Sequence, residues 1–198
     1  MMFQVRIHGR GGQGVVTAAE LLSVAAFEEG KCAQAFPSFG SERMGAPVMA
    51  FARIGDQPIR LREPVTRPNA LIVQDPTLLH QVDLFAGLPA EGYLIINTGR
   101  TLADLGIDSL LGRHDEANIV TVPASEIAAR AIGRPLPNAA LLGAFVALTG
   151  ALQLLSLEVA IRRKFAVKVA EANITAAREA FAFAMEQRGK EAGRVEAN

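Results

Sequence analysis

Val5-Arg6-Ile7-His8-Gly9-Arg10-Gly11-Gly12-Gln13-Gly14-Val15 is the stretch that decides the fold. Val5 to His8 reads as a short strand, the glycines from Gly9 to Gly14 fall in G-x-G-x-x-G register, and the sequence turns helical at Val15. The first glycine allows a tight turn out of the strand. The second lets backbone N–H groups approach a phosphate, and the third lets the helix pack closely on the strand. Exposed N–H groups and the positive end of the helix dipole then favour an anion. Gly11, Gly12, Gln13 and Gly14 are therefore candidate donors to a phosphate-bearing ligand. A glycine turn that only packs a helix or a partner chain explains the same residues without a ligand.

Working outward, Val15 to Glu29 reads as an alanine- and leucine-rich helix closed by Gly30, and Cys32 to Phe36 as a second strand. Dinucleotide folds place an acid roughly 20 residues past the glycines to bind a ribose hydroxyl. Here that position reads Gln34-Ala35-Phe36, which counts against a standard NAD site. Pro37 to Gly45 is a loop carrying Ser41, Glu42 and Arg43, a mix that suits a binding site or a Glu–Arg pair at a surface or subunit contact. Val48 to Ile54, the Gly55-Asp56 turn and Ile59 to Arg62 predict a hairpin.

Leu71 to Val73 predicts a buried strand, and Asp75-Pro76 caps and opens a helix expected to reach Phe85. Tyr93 to Ile96 predicts a strand ending at Asn97 and Thr98. Because ligands bind beyond the carboxyl ends of strands in open α/β sheets, both are candidate contacts; capping a turn explains them equally well. A short helix is expected within Thr101 to Arg113, a strand over Ile119 to Val122, and a helix over Glu126 to Ile132 capped by Ser125. Asn138 is read as the cap of an apolar helix to Leu155, and Ser156 as the cap of a short helix. A long helix over Val167 to Gln187 carries an apolar stripe of Phe165, Val169, Ala172, Ala176, Ala180 and Phe183. Asn173 on that helix is either a buried polar contact or exposed. Residues 1–188 form one domain and 189–198 a polar tail expected to fray. The expected fold class is α/β: a Rossmann-like layered fold with a mainly parallel sheet, one β-hairpin extension and C-terminal helices.

The chain has 198 residues, half of them hydrophobic, with 20 basic and 20 acidic side chains. That supports a sizeable core and gives no electrostatic case for nucleic acid or an anionic membrane. The run from Ala139 to Leu155 falls short of the roughly 20 apolar residues of a membrane span, so a buried helix is expected. No basic-then-apolar leader opens the sequence, and a cytoplasmic location is expected. Cys32 is the one cysteine, so an intrachain disulfide or a cysteine-built cluster within one copy is excluded. Among His8, His80 and His114 no metal spacing appears. His8 either touches a ligand at the glycine loop or is a satisfied polar group at a strand end.

Two stretches carry a resemblance. Arg6-Ile7-His8-Gly9-Arg10-Gly11-Gly12-Gln13-Gly14-Val15-Val16-Thr17-Ala18-Ala19 resembles the opening of the gamma subunit of 2-oxoacid:ferredoxin oxidoreductases. Gln34-Ala35-Phe36-Pro37-Ser38-Phe39-Gly40-Ser41-Glu42-Arg43-Met44-Gly45-Ala46-Pro47-Val48 is more specific to the pyruvate-type branch, and the likeness continues through Asn97-Thr98 and Asn138 to the closing helices. The resemblance implies alpha, beta and ferredoxin-like delta partner subunits that hold thiamine diphosphate, Mg²⁺ and 4Fe–4S clusters. Such complexes decarboxylate a 2-oxoacid on the thiamine ylid, release acyl-CoA and CO₂, and pass electrons to ferredoxin or an NAD-linked flavin subunit. It implies a share of the coenzyme A site for this chain, with Gly11, Gly12, Gln13 and Gly14 at the phosphates. Ser41, Glu42 and Arg43 would lie near the pantetheine path or a subunit contact, and Arg43→Ala is expected to raise the apparent KM for CoA alone. Pyruvate is the family default, with phenylglyoxylate or another aryl or branched 2-oxoacid as the alternative.

Two other readings stand beside it. A free-standing NAD(P)-binding dehydrogenase lacks its second-strand acid and a catalytic Lys, His or Tyr constellation here. A non-catalytic interaction subunit would leave the glycine loop without a ligand.

Overall fold

The structure, a computed structural model, describes residues 2–38, 44–107 and 114–195, with side chains described as far as residue 189. Six strands form one sheet: β1 (Met2–Arg10), β2 (Cys32–Pro37), β3 (Pro47–Gly55), β4 (Ala70–Val73), β5 (Tyr93–Asn97) and β6 (Ile119–Val122). Their order is β2-β3-β1-β4-β5-β6. β1, β4, β5 and β6 pair in parallel, while β3 runs antiparallel to both β1 and β2. Among the described residues there are five α-helices: α1 (Val15–Glu28), α2 (Ala124–Ile132), α3 (Asn138–Thr149), α4 (Leu154–Lys164) and α5 (Val167–Val195).

Alternation along the strands sorts the core onto two faces. Val5, Ile7, Ala70, Ile72, Ile95 and Val120 pack with all five helices on one face. Leu71, Val73, Leu94 and Ile96 point to the other. That second face is covered by loops and by two 3-10 turns, Pro76–His80 and Ala103–Leu105. The parallel strands are buried on both faces, which is why they read as unbroken apolar runs.

The α/β class and mainly parallel sheet are as expected, but the antiparallel extension is built differently. Ile59 to Arg62 forms no strand. Both edges of β3 are already taken, by β1 and β2, so a returning strand has no partner edge. Arg53 instead straps that segment across the sheet, its guanidinium donating to the carbonyls of Leu61 and Glu63.

Several boundaries also move. The helix after Asp75 is a 3-10 turn that stops at His80 rather than Phe85, and Arg6 ties the carbonyls of Leu84 and Ala86 to β1 at 2.8 and 2.7 Å. Within Thr101 to Arg113 only the Ala103–Leu105 turn is described; residues 108–113 lie outside the described set. Ser125 sits inside α2 and does not cap it. The apolar helix ends at Thr149, because Gly150 takes a left-handed φ of 60°. Asn138 is its first helical residue, after Pro137. Ser156 lies within α4, which opens after Gln153. α5 passes through the expected boundary at 188 and stays helical to Val195, with Arg188 Nη1 donating to Ala147 O at 2.8 Å. Its buried stripe is Ala170, Asn173, Ile174, Ala176, Ala177, Ala180 and Ala184, rotated from the expected one, and Val169 is exposed. Asn173 resolves as a buried polar contact, donating to Val169 O at 2.8 Å.

Candidate functional site

The chain leaves β1 to build α1, β2 and β3 on one side, then returns to build β4, β5 and β6 on the other. β1 is thus the switch point of the sheet, and the glycine loop at its carboxyl end occupies the place where open α/β sheets bind ligands. A cavity of about 490 Å³ opens there, lined by Arg10, Gly11, Gly12, Gly14, the first turn of α1 and Met44.

Gly12 and Gly14 have φ of 92° and 75°, a backbone region that other residues rarely adopt. Space forbids a side chain as well. A Cβ on Gly14 would lie 2.7 Å from Asn138 Nδ2, and one on Gly12 would lie 2.9 Å from Met44 Sδ. The N–H groups of Gly11 and Gln13 are held inside the fold, on Ala46 O at 2.9 Å and Arg10 O at 3.0 Å. Gly12, Gly14 and the first turn of α1 therefore carry the N–H groups available for an anion among the described residues. Gly14 is the N-cap of α1 and offers no side chain to those donors.

The loop is braced from outside. Gln13 Oε1 accepts from Arg10 N–H at 2.8 Å, and Gln13 Nε2 donates to Asp75 Oδ2 at 2.8 Å. Arg10 Nε lies 3.2 Å from the same oxygen. Its other nitrogens donate to Gly45 O, Thr77 Oγ1 and Gln81 Oε1. Burial pushes the Asp75 carboxyl up, but hydrogen bonds from Thr77 and Gln13 and the Arg10 charge outweigh it and leave its pKa below the ordinary value. The sequence by itself marks neither Arg10 nor Asp75 as a site residue; Asp75 reads there only as a cap just past an apolar strand.

Asn97 ends β5 and Thr98 follows it, and neither lines the cavity. Asn97 Nδ2 donates to Gln74 O at 2.7 Å and to Ser125 Oγ at 2.8 Å, and its Oδ1 accepts from Ser125 N–H at 3.0 Å. It staples β5 to the end of β4 and to the first turn of α2. Thr98 Oγ1 accepts from Arg100 N–H at 3.1 Å. Ser41, Glu42 and Arg43 lie outside the described residues; Met44, which follows them, bridges to Gly11. His8 is buried and, by strand alternation, lies on the face of β1 opposite Ile7. Desolvation and the nearby Arg6 charge push its pKa down to about 4, so the ring is neutral. Because β3 intervenes between β1 and β2, the end of β2 is a strand further from the glycine loop than a dinucleotide site requires.

Among the described residues no cluster of three His, Cys, Asp or Glu is placed to hold a metal, and no helix is long and apolar enough to cross a membrane. The pyruvate ferredoxin/flavodoxin oxidoreductase family model matches residues 4–183. The chain is 51% identical over 161 residues to pyruvate synthase subunit PorC of Methanosarcina barkeri, covering 81% of this chain and 85% of that one. It is 45% identical over 180 residues to the pyruvate/ketoisovalerate oxidoreductases common subunit gamma of Pyrococcus abyssi, covering 91% and 96%. The crystal structure of pyruvate oxidoreductase subunit PORC from Thermotoga maritima superposes with a TM-score of 0.79 at 38% identity, covering 91% of this chain and 96% of that one. The strand–glycine-loop–helix opening, the single reversed strand and likeness along nearly the whole chain converge: this chain belongs to the pyruvate ferredoxin/flavodoxin oxidoreductase family, as one of its gamma subunits.

Proposed function

We propose that this chain binds the phosphates of coenzyme A at the glycine loop, within a complex that converts a 2-oxoacid to acyl-CoA and CO₂ and passes the electrons to ferredoxin or a related acceptor. The observation that carries the reading is the cradle at Gly12 and Gly14. A Cβ on Gly12 would run into Met44 Sδ at the cavity and one on Gly14 into Asn138 Nδ2 behind it, so both positions stay bare backbone beside the N–H groups that open α1. Ser41, Glu42 and Arg43 are proposed to border the pantetheine path or a subunit contact. Asn97 and Thr98 are proposed to act from behind the site, by fixing the strand ends, rather than by touching the ligand.

Thiamine diphosphate, Mg²⁺ and iron–sulfur clusters belong in this reading to alpha, beta and ferredoxin-like partners. The chain has one cysteine, and among the described residues no three His, Cys, Asp or Glu side chains are placed together to hold a metal. The 2-oxoacid is proposed to be pyruvate. A branched 2-oxoacid is the second reading, favoured by relatives named as a subunit common to pyruvate and ketoisovalerate oxidoreductases, and phenylglyoxylate is a third.

Anaerobic affinity purification of the tagged chain tests this. Iron-containing subunits are expected to co-elute and to reduce viologen with pyruvate only when CoA is present. Activity on a branched or aryl 2-oxoacid alone would move the substrate. CoA-independent activity would remove CoA from the glycine loop, and a lone iron-free chain would overturn the assembly.

A further inference from the structure

Asp75 uses its two carboxylate oxygens for different tasks. Oδ1 is a cap: it accepts from Thr77 N–H at 3.0 Å and from Thr77 Oγ1 at 2.5 Å. Oδ2 points the other way and meets Gln13 Nε2 at 2.8 Å and Arg10 Nε at 3.2 Å. A cap needs one oxygen, so the second pair of contacts calls for its own account. Gln13 and Arg10 flank Gly11 and Gly12 in sequence, so Oδ2 holds both ends of the turn that shapes the cavity floor. The Arg10–Asp75 pair is largely buried, with side chains 23% and 13% exposed. Arg10 also reaches Gly45 O at 3.1 Å, and Gly45 N–H donates back to Gly11 O at 3.2 Å. One carboxylate oxygen thereby ties the end of β4, the glycine loop and the chain entering β3 into one unit. The Arg10 guanidinium, though it lines the cavity, is turned to protein oxygens on all its nitrogens.

We propose that Asp75 is a positioning residue for the glycine loop: its Oδ2, through Gln13 and Arg10, holds the N–H groups of Gly12 and Gly14 in the arrangement that receives the CoA phosphates and keeps Arg10 off them. This rests on the reading of the loop as a CoA site. An anion held by backbone dipoles needs those dipoles fixed before it arrives, because reorganising them on binding weakens affinity.

Asp75→Asn separates the two tasks. The amide oxygen keeps the cap, while the amide nitrogen meets two donors where Oδ2 accepted from both. In the complete complex, calorimetric titration with CoA is expected to give a Kd raised about tenfold for Asp75→Asn and for Gln13→Met. The double variant should lose less than the sum of the two single losses, since the Gln13–Asp75 contact is common to both. The KM for the 2-oxoacid should stay put, and Gly12 and Gly14 amides should exchange faster. If Asp75→Asn does not assemble, Gln13→Met carries the test through the same Kd and exchange readouts.

Additive losses, or an unchanged or tighter Kd while Gly14→Ala weakens CoA binding, would overturn the positioning role and leave the CoA site standing. A CoA Kd untouched by Gly14→Ala as well would overturn the CoA reading itself, and the positioning role with it.

Discussion

His8 shows how a residue beside the site can matter to the fold alone. It lies 6% exposed on β1, between Arg6 and Arg10 on one face of the strand, and its Nε2 has no hydrogen-bond partner among the described residues. Charging it there would leave a second cation next to Arg6 without water. Its pKa of about 4 in the folded chain contrasts with the ordinary 6.5 of an unfolded one. The unfolded chain therefore takes up a proton as pH falls through about 6.5, while the folded chain does so only near 4. Stability is fully present above the upper value and declines across that window, by about 3 kcal/mol at most. Urea unfolding between pH 7 and pH 4 should show a steeper loss for the wild-type chain than for His8→Asn. Parallel curves would assign the acid sensitivity to other groups.

At the scale of elements, α3 and α5 pack backbone to backbone. Every residue of α3 from Asn138 to Leu148 is buried, as expected of a helix that is apolar all round. α5 meets it with a row of alanines, including Ala177, Ala180 and Ala184. Small residues on both sides let the backbones approach until a Cβ on Gly143 would stand 2.0 Å from the Ala177 carbonyl oxygen. No side chain can yield there; one helix has to shift. Gly143→Ala is expected to cost about 1–3 kcal/mol of stability, more than its gain in helix propensity of about 1 kcal/mol returns. Denaturant midpoints of the two chains decide this, and a stabilised variant would mean that the helices separate freely.

At the scale of the whole molecule, the charge balance of 20 against 20 leaves no net charge to draw partners in. Met44 is 90% exposed at the lip of the glycine-loop cavity, the most exposed large apolar side chain among those described. Placed beside a site proposed to be shared with other subunits, it is suited to be covered by one of them. Met44→Asp is expected to reduce co-elution of partner subunits several-fold while leaving the thermal midpoint of the chain itself unchanged. Undiminished co-elution would place the subunit contact elsewhere.

The local features were legible in the amino-acid sequence alone because each depends on neighbours along the chain. The strand–glycine-loop–helix opening, the strand at Ile119–Val122, the Asp75 cap and the stop of α1 before Gly30 are such features. The family was legible too, through two contiguous stretches. Where each strand pairs was not, because insertion of β3 between β1 and β2 is a choice among distant partners with the same apolar alternation. The buried face of α5 was equally hidden, since an alanine-rich helix has several faces of similar hydropathy and only its packing against α3, α2 and α4 selects one. The meeting of Arg10 and Gln13 with Asp75 likewise exists only once β4 has paired with β1 and brought residue 75 to the glycine loop.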